Sequence, residues 1–100
     1  MGWEVGVSFY VYIMTNKRET VLYTGMTDDI NKRAWEHRGH VQRGFTHRYN
    51  CEFLVWFETH ETRESAFQRE RQIKKWNRAW KERLINEMNP EWRDLADTLI

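Results

Sequence analysis

The apolar and polar positions of this chain fall into six patterned blocks. Ser8-Phe9-Tyr10-Val11-Tyr12-Ile13-Met14 is dense in β-branched and aromatic residues and predicts a strand, with Tyr10, Tyr12 and Met14 on one face. Thr15 to Thr20 is polar and predicts a turn. Val21-Leu22-Tyr23-Thr24-Gly25-Met26 predicts the returning strand of an antiparallel hairpin. Thr27 or Asp28 is then placed to cap a helix, with Asp28 and Asp29 in its first turn and Gly39 as its stop. From His40 to Asn50 no period is visible, and a basic, glycine-containing loop is expected.

Glu52 to Glu58 encloses five consecutive apolar residues and predicts a central strand. A helix is predicted from about Thr62 to Asn77. Another spans Arg78 to Met88, with Trp80, Leu84 and Met88 as its apolar stripe. Asn89-Pro90 ends it, because the position before proline disfavours helix. The tail is expected to pack through Trp92 and Leu95. The order is ββαβαα, an α+β fold with a small, mainly antiparallel three-stranded sheet flanked by helices. One domain is expected over 1–100, its core at about 8–77 and a C-terminal helix and tail at 78–100.

Composition narrows the setting. The 100 residues are 40% hydrophobic and 31% charged, a globular balance, and no apolar run approaches a membrane span. The N-terminus lacks the basic-then-apolar order of a signal peptide, and Cys51 is the only cysteine. A cytoplasmic protein without an internal disulfide or membrane partner is expected. Net charge is only +1, yet Arg33 to Arg48 holds four arginines and three histidines against Glu36 alone. Local charge, not the total, decides phosphate binding.

Three groups of residues bear chemistry. Glu70 follows Ala66 by four residues and precedes Ile73 by three, which puts a carboxylate on the apolar face of its helix together with Phe67. Such a group needs a partner: Lys74 or Arg69 as an ion pair, or a divalent cation. Arg33 and His37 are four apart on one helix face, and an arginine fork suits a phosphate. That pair also reads as a solvated helix surface. Tyr12 and Tyr23 read as ordinary β-formers, or as a phenol base or donor beside a cation. His37, His40, His47 and Cys51 match no standard zinc spacing, and Trp76 and Trp80 read as core.

Taken in order, Tyr10-Val11-Tyr12, Tyr23-Thr24-Gly25, Asp28 through His37, and Arg69-Glu70-Arg71-Gln72-Ile73-Lys74 resemble the GIY-YIG nuclease family. The resemblance extends from about Phe9 to Trp76, and the C-terminal segment is similar to small stand-alone, UPF0213-like members. Tyr10 stands where the family has glycine, and Thr24 where it has isoleucine.

What the resemblance implies is a metal-dependent DNA endonuclease. Tyr12 would take the proton of the attacking water, assisted by Tyr23 and His37. Arg33 would hold the phosphate, and Glu70 a single Mg²⁺ or Mn²⁺. Gly25 would leave room for the approaching substrate backbone. Arg38, Arg43 and Arg48 would contact DNA phosphates, with targeting supplied by the domain or by a protein partner. The competing expectations are a non-catalytic nucleic-acid-binding or interaction module on the same fold, and a structural protein without salt-dependent DNA affinity.

Overall fold

The computed structural model describes residues 8–38 and 49–99. Among these residues there are three strands, β1 (Phe9–Thr15), β2 (Leu22–Thr27) and β3 (Phe53–His60). Among the described residues three helices accompany them, α1 (Ile30–Arg38), α2 (Arg63–Lys74) and α3 (Arg78–Met88), with a 3₁₀ turn at Leu95–Thr98. The sheet order is β2-β1-β3, antiparallel throughout, so the expected α+β fold and ββαβαα order are what the chain forms. Gly39 and the loop through Arg48 lie outside the described residues.

The hairpin is set by side chains as well as by pairing. Asn16 Oδ1 accepts the backbone N–H groups of Thr20 and Val21 at 2.9 and 3.0 Å, and Glu19 takes the left-handed conformation (φ 59°) that closes the turn. The resulting register places Tyr12 opposite Gly25. Between β1 and β3 the register shifts: Ile13 pairs with Trp56 but Met14 with Leu54, so Val55 is the extra residue. The shift explains why Val55 and Trp56, though adjacent, are both buried in one layer.

That layer joins Val11 and Ile13 to Ala66 and Ile73 of α2 and Ile85 of α3. The other face of the sheet carries Tyr12, Met14 and Leu54, packed on Ile30 of α1, Cys51 and the tail residues Leu95, Ala96 and Leu99. Tyr10, Tyr12 and Met14 do share a face. Burial on both sides of a three-stranded sheet supplies the apolar area from which a chain of this size draws its stability.

Four local expectations need correction. The α1 cap is Asp29, whose Oδ1 accepts Lys32 N–H at 3.1 Å, while Thr27 Oγ1 holds Asp29 N–H at 3.0 Å. Helix α2 stops at Lys74, and Asn77 begins α3 by accepting Trp80 N–H at 2.9 Å. Phe67 points outward and lies beneath the Arg71 guanidinium, 5.5 Å from its carbon. Trp80 and Met88 are exposed, because α3 meets the sheet chiefly at β3 and buries Ile85.

The tail is fastened by polar groups that hydropathy does not register. Buried Asn89 donates from Nδ2 to Val55 O (3.1 Å) and Arg93 O (2.8 Å), and its Oδ1 accepts Arg93 N–H at 3.0 Å. Asp94 Oδ1 accepts the N–H groups of Leu54 and Ala96, both at 3.1 Å.

Candidate active site

The site grows from the Tyr12–Gly25 pairing. A Cβ at Gly25 would lie 2.6 Å from Tyr12 Oη, 2.7 Å from Cζ and 3.0 Å from a Tyr23 ring carbon. Glycine is therefore required because the Tyr12 phenol lies over its Cα, which revises the expectation that substrate backbone occupies this space. The signal was available in the sequence as hairpin register.

Around this seat the rings of Tyr12, Tyr23 and His37 form a triangle. Their centroids are 6.3 Å (Tyr12–Tyr23), 5.8 Å (Tyr12–His37) and 5.7 Å (Tyr23–His37) apart. Tyr12 Oη and His37 Nε2 are 3.3 Å apart, a buried hydrogen bond whose direction follows the imidazole tautomer. His37 is no solvated surface residue: it is 3% exposed, brought inward with Ile30 and Ala34 by the helical period. Its Nδ1 has no hydrogen-bond partner among the described residues. The Cys51 backbone favours the protonated ring without reaching hydrogen-bonding geometry.

Electrostatics tie more distant residues to this triangle. Burial, then the Arg33 charge, pushes His37 down to about 4, so its imidazole is neutral near pH 7. Burial also pushes the Tyr12 phenol well above the usual tyrosine range. Tyr23, Glu70 and Glu36 push the same way, and Arg33 opposes them. Thus Glu70, from the opposite layer of the fold, and Arg33, from α1, both act on the Tyr12 oxygen. Arg33 is half-buried, with Nε 3.5 Å from Glu36.

Glu70 is 13% exposed at its side chain, and its Oε2 lies 3.2 Å from Lys74 Nζ. Of the two ion-pair partners open from sequence, Lys74 is the one used; Arg69 is engaged by Glu58 at 3.1 Å. No cluster of three or more His, Cys, Asp or Glu side chains converges among the described residues. Burial pushes the Cys51 thiol up to about 11, which keeps it protonated and a poor metal ligand.

Of the basic residues expected to meet DNA, Arg38 is the one among the described residues. Arg38 donates to Asp94 and, at 3.3 Å, to Asp97, and the Asp94 bond is the main reason its charge is held even more firmly than usual. Its guanidinium fastens the tail to α1. Arg43 and Arg48 lie outside the described residues.

Comparison with known proteins supplies the family. The model of the GIY-YIG catalytic domain matches residues 8–83, so the chain belongs to the GIY-YIG family, one of the nuclease type. Within it, the chain is of the small UPF0213 type. It is 38% identical over 78 residues to a UPF0213 protein of Haloquadratum walsbyi, covering 78% of this chain and 86% of that one. A UPF0213 protein of Staphylococcus aureus is 36% identical over 80 residues, covering 80% and 96%. The solution NMR structure of a UPF0213 protein from Bacillus halodurans superposes with a TM-score of 0.54 at 26% identity, covering 87% of this chain and 92% of that one. Among the described residues no helix is long and apolar enough to cross a membrane.

Proposed function

We propose that the protein is a DNA endonuclease that hydrolyses phosphodiesters with one Mg²⁺ or Mn²⁺. The observation that carries this reading is the convergence of Tyr12, Tyr23 and His37 over Gly25, with the charges of Arg33 and Glu70 acting on the same phenol.

Tyr12 is a neutral phenol at rest, because its ionisation is disfavoured. It accepts a proton from water only as it releases its own to His37 Nε2, which is neutral and 3.3 Å away. Arg33 presents its planar fork to the phosphate and stabilises charge developing on the non-bridging oxygens. Tyr23 flanks both rings and limits their movement. Glu70 is the carboxylate that would hold a hard divalent ion: its side chain is 13% exposed, and the ion would take the place of Lys74, which is half exposed, as its countercharge; Mg²⁺ commonly takes one or two carboxylates and fills the rest of its shell with water and phosphate oxygen. Bound there, such an ion would supply Lewis-acid polarisation of the phosphate. Target choice lies with the domain or with a protein partner.

A second reading, a non-catalytic nucleic-acid-binding module, draws on the burial of Tyr12, which is 1% exposed. Purified protein is incubated with supercoiled and branched DNA in Mg²⁺, Mn²⁺ or EDTA. The endonuclease reading expects metal-dependent nicking by the wild type and none by Glu70→Ala or Arg33→Ala. Undiminished nicking by folded Glu70→Ala sinks the metal role. Salt-sensitive binding without nicking supports the module.

A further inference from the structure

The positive charge missing from the chain as a whole is concentrated on α2 and α3. Residues 68–84 carry seven Lys and Arg side chains against Glu70 and Glu82, while the whole chain is only +1. Both acids are occupied internally, Glu70 by Lys74 and Glu82 by Arg78 at 2.7 Å. No ion pair engages Arg71, Lys75 or Arg83 among the described residues. The crowding bears on Lys81, whose ammonium is pushed down by burial and by the charges of Arg78 and Lys74.

Tryptophans stand in the middle of this basic surface. Trp76 separates two shallow hollows, one bordered by Arg71 and Lys75 and the other by Trp80, Arg83 and, as its one acid, Glu87. Trp76 and Trp80 meet edge to face at 5.8 Å and 78°, so they do not stack on each other, and Trp80 stays 53% exposed. Arg69 lies over the Trp76 ring at 5.3 Å. A single exposed tryptophan needs no explanation, but indoles flanked by unpaired cations form the combination that binds single-stranded nucleic acid. Bases stack on the rings, and the cations follow the backbone.

We propose that the α2–α3 surface centred on Trp80 binds a single-stranded segment of nucleic acid. Trp80 is the stacking platform, and Arg71, Lys75 and Arg83 are the phosphate contacts. The inference rests on the nuclease reading and deepens it, since it makes the substrate a DNA with an unpaired arm held outside the catalytic cluster. Charge complementarity favours this occupant over a second copy of the chain, which would place two cationic surfaces against each other.

The test is binding, measured in EDTA so that turnover plays no part. Fluorescence anisotropy follows a labelled 12-mer of dT and a blunt 12-bp duplex. Trp80→Ala is expected to weaken the single strand about tenfold and leave the duplex within about twofold. Trp80→Phe should restore most of the loss, and the exposure of Trp80 makes both variants compatible with the fold. Lys75→Gln with Arg83→Gln should lower the salt slope for the single strand by about 1.4. Equal single-strand affinity of wild type and folded Trp80→Ala overturns the proposal. So does competition by polyglutamate as effective as by the oligonucleotide, or a wild-type dimer in sedimentation that Trp80→Ala dissolves. Absence of nicking by the wild type, with this binding intact, would count against the catalytic reading alone.

Discussion

The hydroxyl-bearing end of Tyr12 lies against the Cα of Gly25, its partner across the hairpin. The two residues are coupled by volume: one is a glycine because the other is a buried tyrosine. Gly25→Ala would force a methyl to within 2.6 Å of Oη, in a site where Tyr12 is 1% exposed and has little room to move. The expected cost is about 1–3 kcal/mol, seen as a lower urea midpoint with unchanged slope, together with loss of nicking. An unchanged midpoint would show that the phenol lies elsewhere in solution.

Tyr12→Phe separates chemistry from packing. It keeps the ring and removes the partner of His37 Nε2, on an imidazole whose Nδ1 is already unpartnered. A loss of about 1–2 kcal/mol in stability is expected, with abolition of any nicking. Retained cleavage would remove Tyr12 from the proton pathway.

Stability should depend on pH through His37. Its folded pKa, about 4, lies below the unfolded value of 6.5, so the unfolded chain binds the additional proton between them. The contribution of the neutral imidazole is therefore complete above pH 6.5 and is lost as pH falls towards 4. The amount is of the order of 3 kcal/mol. Urea denaturation from pH 7 to 4 should show this slope in the wild type and a flatter one in His37→Gln.

Asn89 offers a test away from the site. Its amide is buried and satisfies three backbone groups, two in the tail and one in β3. Asn89→Ala is expected to cost about 2–3 kcal/mol by leaving those groups buried and unpaired. Tail resistance to proteolysis should fall with it, whereas a change below about 0.5 kcal/mol would assign the tail a minor structural role.

The element order, the hairpin and the shared face of Tyr10, Tyr12 and Met14 were legible because each follows from a short period or an ordered motif. The burial of His37 was half legible: its spacing from Ile30 and Ala34 places it inward, but an Arg/His pair on a helix reads equally as surface. Trp80 is exposed for a physical reason. Periodicity shows which side of a helix is apolar, not whether a narrow sheet extends far enough to cover it. Arg38 and Asp94 are 56 residues apart, and no local pattern reports such a pairing.

The Asp94 carboxylate receives Arg38 on one oxygen and the Leu54 and Ala96 backbones on the other, so one side chain splices the end of α1, the start of β3 and the tail. His37 is the residue immediately before Arg38. Any displacement of the tail is thereby delivered one peptide from the imidazole that faces Tyr12.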